Sequence, residues 1–333
     1  SFTMPSQMKA CLLTRIGGPE GFKVSEQVPR PVASKGFVLV KNTVASVNYV
    51  DVYFRQGHYP SAKTSDLILG QEAAGIIEDV PEGAPSDLKR GDRVVWLWQG
   101  GYAQYTAVPF SQVIKIPPGV SDENAAGVFL TGITALALTT DAHLVQTGET
   151  VLIHAAAGGL GLLLCQLLRD RGVTVIGTAG GPEKCELALK FGATHVIDYR
   201  KDHDWATKVH ELTDGKGVDV VYDGVGKDTC DGSFEAVKAF GKVVFIGNAS
   251  GSIPPIPVEK LAAKNISVMR PALKNYIAAG DRIARYGKEA LDRVASGKWV
   301  VQKHARFCSL GDIEQAHRDL ENRSTVGKLL IKI

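Results

Sequence analysis

The sequence predicts an α/β protein in which a doubly wound parallel sheet is set into a β-rich domain that the chain leaves and later rejoins. Three observations carry this. The first third consists of short β-branched and aromatic runs, such as 37–41 and 93–98, separated by Gly and Pro. From Thr150 onward, compact apolar runs at 151–154, 173–177, 195–198, 218–223 and 243–247 alternate with helical stretches at 160–171, 182–191, 202–213 and 228–239. Such alternation requires a parallel sheet covered on both faces, because each crossover lays a helix on the sheet. After about residue 265 the alternation stops, and helical stretches at 275–296 and 311–322 precede a last strand at 328–333. This tail is expected to return to the first domain, giving segments 1–125, 126–265 and 266–333.

Local signals support each element. Pro117-Pro118-Gly119 closes the β-rich region, and a helical pattern starts at Asp122. The stretch 160–168 is apolar nearly all round, as a helix wedged against a sheet should be. Gly172 and Gly192 follow their helices where a left-handed residue would sit.

Composition excludes several functions. A chain of 333 residues, 44% hydrophobic and 22% charged, is ordinary for a globular protein and long enough for two domains. A net charge of +3 without a basic run argues against nucleic acid or an acidic membrane as the main partner. The five cysteines (Cys11, Cys165, Cys185, Cys230, Cys308) have no CxxC spacing, so they read as reduced thiols of a cytoplasmic protein. No signal-peptide pattern is present, and no uninterrupted apolar run approaches the roughly 20 residues that span a bilayer.

The strongest motif is the segment from Val151 to Gly161, VLIHAAAGGLG, a strand followed by a small-residue turn and a helix. Reduced to Ala156-x-Gly158-x-x-Gly161, it is a dinucleotide fingerprint in its required context. Alanine is tolerable at the first position, where the turn need only be small. Gly158 lets the backbone approach a pyrophosphate, and Gly161 lets the helix pack closely. The helix N-terminus then offers N–H groups and positive dipole to the anion. The next strand ends Gly177-Thr178-Ala179-Gly180-Gly181 without the acid that would accept from an NAD ribose, and Lys184 follows within a turn. Lys184 alone reads as a solvated helix lysine. The missing acid is the stronger sign of NADPH.

The chain resembles the zinc-independent quinone oxidoreductase, or zeta-crystallin-like, branch of the medium-chain dehydrogenase/reductase superfamily. The likeness covers nearly the whole chain. It rests on NYVDVYFR at 48–55, GQEAAG at 70–75, GDRV at 91–94, AAAGGLG at 155–161, YDGVG at 222–226 and FIGN at 245–248. It implies a GroES-like catalytic domain (1–125, completed by 266–333), an NADPH-binding Rossmann domain (126–265) and a cleft between them. By position, Lys184, Tyr199 and Arg323 would surround the 2′-phosphate. Gly159, Leu160 and Gly180 would line the phosphates and ribose, and Gly247, Asn248 and Ser250 would lie near the nicotinamide. Thr134 and Gly224 complete the expected cofactor set. Asn48, Tyr53 and Tyr59 would line the substrate side. Thr131 departs from the pattern, since a relative carries lysine there.

Zinc alcohol dehydrogenases of this superfamily have cysteine where Asn48 stands and histidine where Gln71 stands. Neither amide is a useful zinc ligand, and no cysteine occurs between Cys11 and Cys165 for a structural site, so no metal is expected. Without a Lewis acid, alcohol oxidation loses its means of making an alkoxide, whereas a quinone or conjugated carbonyl accepts hydride readily. The expected protein is therefore an NADPH-dependent reductase of a small-molecule quinone or enone, a homo-oligomer with a dimer favoured. Two rivals stand beside it. Gln56-Gly57-His58-Tyr59 also resembles enoyl-thioester reductases, in which a tyrosine near this point protonates the substrate. Some zeta-crystallin relatives instead bind RNA or serve as a structural lens protein, which the near-neutral charge disfavours here.

Overall fold

The computed structural model describes residues 6–59, 65–304 and 308–333. It divides into two compact units: residues 1–133 with 283–333, and residues 134–282.

The first unit opens with β1 (Gln7–Leu13), β2 (Phe22–Pro29) and β3 (Phe37–Val47), then helix α1 (Tyr49–Arg55). It continues through β4 (Leu67–Ile68), β5 (Glu72–Asp79), β6 (Arg93–Leu97), β7 (Tyr105–Pro109) and β8 (Val113–Lys115) to helix α2 (Asp122–Ala137). β3 is the hub, pairing antiparallel with β5 along one edge and, over Phe37–Lys41, with β7 on the other. Its inward residues Val38 and Val40 pack with Leu13, Ile77, Val94, Trp96 and Tyr102. Asn42, a polar side chain buried on the same strand, is satisfied: it donates to Ala103 O and Thr106 Oγ1 and accepts from Trp96 Nε1, as burial of an amide requires.

In the second unit, β9 (Thr150–Ile153), α3 (Gly159–Asp170), β10 (Thr174–Ala179), α4 (Pro182–Lys190), β11 (His195–Asp198), α5 (Trp205–Leu212), β12 (Val218–Asp223), α6 (Cys230–Ala236) and β13 (Val237–Phe245) alternate strictly. After them come α7 (Glu259–Ala262), β14 (Ser267–Met269) and α8 (Leu273–Ile277). All six strands are parallel, in the order β11-β10-β9-β12-β13-β14. This is the 3-2-1-4-5-6 order of a doubly wound dinucleotide fold.

The chain returns through α9 (Arg282–Ala295), β15 (Cys308–Ser309), α10 (Ile313–Glu321) and β16 (Leu329–Lys332). β16 pairs antiparallel with β3, Leu329 opposite Val47 and Lys332 opposite Val44.

Several sequence expectations need correction. A sixth parallel strand, β14, follows the point where alternation was expected to stop, because three residues are too few to show a pattern. The helix expected over 228–239 ends at Ala236; the strand begins at Val237 and bulges at exposed residues before Lys242 resumes pairing with Val220. That bulge, with Phe240 at φ +62°, hid the first half of the strand. The helix expected over 275–296 is broken between Ile277 and Arg282, where Gly280 takes φ +66°. Asp122–Ala142 is a helical run long and apolar enough to cross a membrane, yet most of it is buried inside the protein. It is a core helix.

Gly75 in β5 shows how tightly the first unit's hub is built. A Cβ there would lie 2.2 Å from Lys41 O and 2.9 Å from Asn42 Cα, both backbone atoms of β3. Gly75→Ala should cost about 1–3 kcal/mol or more and lower Tm by at least roughly 3 °C. Gly311→Ala, whose nearest neighbour would be Ser309 Oγ at 3.6 Å, should leave the melting curve unchanged. Equal melting of both variants would contradict the packing described.

Candidate active site

In the second unit the dinucleotide candidates gather at the carboxyl ends of the strands. After β9 the chain turns at Ala155, φ +53°, a strained value for a residue with a side chain. Ala156 N donates to Thr178 O at 3.0 Å, tying the turn to β10. Gly158 is the N-cap of α3 and has no side chain to cap it, so the first-turn N–H groups face outward unclaimed by the helix. A Cβ on Gly161 would stand 2.5 Å from Ala155 O, and one on Gly177 would stand 2.7 Å from Ala156 Cβ. The missing side chains let helix and strands close up beneath the anion position.

At the next turn, Gly180 and Tyr199 meet: a Cβ on Gly180 would be 2.5 Å from the Tyr199 hydroxyl and 3.1 Å from Arg200 Nε. Lys184 lies one turn into α4, half-buried. Sequence reasoning missed two residues here. Arg200 adds an exposed guanidinium to the polar wall. Asp198 closes β11, and its Oδ1 accepts from Gly181 N at 2.9 Å and Arg200 N at 3.1 Å. Those backbone bonds hold its carboxyl below the usual carboxylate range. The acid absent from β10 thus stands on the neighbouring strand, committed to the backbone. An aspartate two residues before an arginine carries no motif, so only the register of β10 on β11 reveals the pair.

Gly224, Gly247, Asn248 and Ser250 come together at the ends of β12 and β13. Ala249 N donates to Gly224 O at 3.2 Å, and Ser250 donates to Val225 O through both N and Oγ at 2.8 Å. Gly226 approaches so closely that a Cβ would lie 2.9 Å from Asn248 Cα. Asp223, fully buried, organises this corner: its carboxylate accepts from Val225 N, Gly226 N, Thr229 Oγ1 and Ser233 Oγ. His154 joins through Ser233 and Thr178, and burial pushes its pKa down, so it stays neutral. Thr134 sits half-buried at the first position of this unit.

Asn48, Tyr53, Tyr59 and Arg323 belong to the first unit. Asn48 follows β3 and caps α1: its backbone N–H donates to Asp51 Oδ2 at 2.8 Å. Its side-chain Nδ2 donates to Glu72 Oε1 at 2.9 Å, and its Oδ1 accepts from Lys328 Nζ at 2.5 Å. Lys328 also donates to Glu72 Oε1 at 3.0 Å, and Ser46 Oγ donates to the same oxygen. Glu72 Oε2 accepts from Leu130 N. Tyr53 is buried on α1 beside Tyr59, whose ring packs on Phe54 at 5.1 Å and on Tyr53 at 6.3 Å. Arg323 is exposed in the turn after α10, at φ +56°, near enough to Tyr49 to act on its charge. Thr131 donates to Gly127 O within α2.

Two family descriptions match the chain, "Alcohol dehydrogenase GroES-like domain" over residues 34–118 and "Zinc-binding dehydrogenase" over 159–291. A probable quinone oxidoreductase of Schizosaccharomyces pombe is 41% identical over 309 residues, 92% of each chain. The chain belongs to the zinc-independent quinone oxidoreductase branch of the medium-chain dehydrogenase/reductase superfamily. An Escherichia coli quinone oxidoreductase solved with NADPH superposes with a TM-score of 0.93 at 34% identity, over 98% of this chain and 100% of that one. A 2-haloacrylate reductase of Burkholderia is 36% identical, covering 97% of this chain and 98% of its own. As in these relatives, the first unit is the GroES-like domain and the second the Rossmann domain.

The zinc in one family description can be tested against the donor set. The corner that would hold it offers an amide oxygen already bonded to an ammonium, and Gln71 Nε2 is a buried amide nitrogen without a partner among the described residues. A dication beside Lys328 would meet like charge. These residues do not fit zinc, and no group of three or more His, Cys, Asp or Glu among the described residues is placed to hold a metal. The pyrophosphate-binding requirements, by contrast, are met by the uncapped N-terminus of α3 and the close-packing glycines beneath it.

Asp51 is fully buried beside this corner. Its Oδ2 accepts from Asn48 N and Tyr102 Oη, while Oδ1 has no partner among the described residues. Burial pushes its pKa up to about 7, with Glu72 raising and Lys328 lowering it. A raised carboxyl pKa means the folded state holds a proton that the unfolded state has released between about 4 and 7. Its contribution to stability is therefore present at acid pH and lost as pH rises through 7. Nearby His317, held down to about 3 by burial, acts with the opposite sign between about 6.5 and 3, so Asp51 is read from a difference between variant and parent. The stability of Asp51→Asn relative to the parent should therefore grow between pH 5 and pH 7, by up to about 1.4 kcal/mol per unit. Denaturant titrations giving a constant difference would refute this.

Proposed function

We propose that this protein is an NADPH-dependent quinone reductase that works without a metal. The observation that carries it is the pairing of a complete dinucleotide cradle in the Rossmann unit with a zinc corner rebuilt around Lys328, Glu72 and Asn48. When bound, NADPH supplies the hydride. The chain's own residues bind and orient. The α3 N-terminus takes the pyrophosphate, and Gly224, Gly247, Asn248 and Ser250 hold the ring end. Lys184, Tyr199, Arg323 and Arg200 favour the 2′-phosphate. Asn48, Tyr53 and Tyr59 orient the acceptor, whose reduced oxygens take protons from water or from the Tyr59 hydroxyl. Much of the rate then comes from orientation and exclusion of water. The catalytic role falls to residues 1–133 with 283–333 and NADPH binding to 134–282, since the sixth parallel strand at Ser267–Met269 carries the second unit past the boundary expected at 265. The protein acts as a homodimer in the cytoplasm, a compartment in keeping with free Cys11, Cys165, Cys185 and Cys230.

Lys184→Ala and Arg200→Ala should each weaken NADPH by roughly 10- to 100-fold, a charged hydrogen bond being worth about 1.5–3 kcal/mol. NADH, lacking the phosphate, should be affected little. Equal losses for both cofactors, measured by fluorescence titration, would mean these cations support the fold instead. Full activity should survive prolonged chelation, and elemental analysis should find no stoichiometric zinc.

The second reading is an enoyl-thioester or enone acceptor, whereas the 2-haloacrylate for which one relative is named is a conjugated acid. Tyr59 separates this reading from the first. A quinone yields a hydroquinone anion stabilised by its ring, so protonation can come late and from water, whereas an enoyl acceptor needs a proton delivered by a positioned acid, a contribution of about 10²–10⁴-fold. Tyr59→Phe should change kcat for quinones by less than about tenfold, since the ring still packs on Phe54 and Tyr53. A loss above roughly 100-fold, with good turnover of crotonyl thioester by the parent, would overturn the choice of quinones.

A further inference from the structure

We propose that Lys328 is a positioning residue for this reaction: with Glu72 it clamps the Asn48 amide in the orientation that leaves an N–H for the acceptor oxygen. The inference rests on the quinone-reductase reading above.

An asparagine amide has two ends of opposite character, an oxygen that only accepts and an NH₂ that only donates. At Asn48 these ends meet opposite charges. Oδ1 accepts from Lys328 Nζ at 2.5 Å, and Nδ2 donates to Glu72 Oε1 at 2.9 Å. A reversed amide would set its oxygen against the carboxylate and its NH₂ against the ammonium. Both charges are withdrawn from water, with side-chain exposures of 5% for Lys328 and 0% for Glu72, so solvent cannot screen the mismatch. Ser46 Oγ also lies 3.3 Å from Nδ2, but it is bonded directly to Glu72 Oε1, so the two acceptors sit side by side and share one N–H, while the other points away from both. Asn48 keeps 7% exposure. One donor of known direction is therefore left over, as stabilisation of a developing oxyanion requires.

Strand register assembles the clamp. Leu329 lies opposite Val47, so Lys328 arrives beside Asn48; Ala73 lies opposite Ala45, so Glu72 arrives beside Ser46. A buried ion pair is weak support for a fold, since apolar residues of similar size usually serve as well. The chemistry of this one is spent on the amide. Lys328 acts through Asn48 and need not touch the substrate.

The test is a mutant cycle on the full-length enzyme with NADPH and a naphthoquinone. Asn48→Ala should lower kcat by roughly 10- to 100-fold, the loss of one hydrogen bond to a charged oxygen. Lys328→Met with Glu72→Gln, which removes both charges together, should do the same while leaving NADPH affinity and Tm near the parent values. Combining all three substitutions should cost less than about threefold beyond either, because acceptor and clamp act as a unit. Parental kcat in the Lys328→Met, Glu72→Gln protein, or losses that multiply, would overturn the proposal. A loss under threefold for Asn48→Ala alone overturns it even if the charge-free protein does not fold. Absence of quinone turnover by the parent overturns the functional reading itself and is seen before any variant is made.

Discussion

The Rossmann unit depends on how closely a helix can approach the strand that precedes it. Gly161 faces the carbonyls of Ala155 and Ala156, and Gly177 faces the Ala156 methyl, each at a distance a Cβ could not occupy. With those side chains missing, α3 settles onto β9 and β10 and its uncapped N-terminus lies at the sheet edge, where the hydrogen-bonding groups and the dipole add. The other cofactor candidates follow from that placement. β10 and β12 flank β9, so the turns at Gly180 and Gly224 fall on either side of the same helix end. Asp223 then fixes the second turn by satisfying two backbone N–H groups and two hydroxyls with one carboxylate.

The GroES-like unit solves a different problem, that of keeping polar chemistry inside a β core. β3 passes from Val47 into the cap of α1, and the residue at the change, Asn48, is held from the strand side by Lys328 and Glu72 and from the helix side by Asp51. The corner carries one ammonium against two carboxyls, both fully buried, and burial raises the pKa of Asp51. A protonated Asp51 leaves the remaining charges balanced. Further along the same helix, Arg55 is buried and paired in a fork with Glu321 of α10, which secures the helix that carries Tyr53 to the element preceding Arg323.

The sequence by itself determined the fold class, the cofactor fingerprint and the family, because these rest on local periodicity, on glycines at fixed offsets and on linear motifs. The strand at 150–153 is legible since its apolar run Val151-Leu152-Ile153 is uninterrupted, and the glycine spacing at 158 and 161 states its purpose without a structure. What tertiary structure alone decided is which side chains meet across distant segments. Lys328 and Asn48 are 280 residues apart in the chain and are joined only by the register of β16 on β3; Arg200 and Asp198 reach the Gly180–Gly181 turn only because β11 pairs with β10. Neither lysine nor arginine carries a motif at those positions. A charge becomes functional through what it faces and how far it is removed from water, and both are properties of packing that one-dimensional order does not encode.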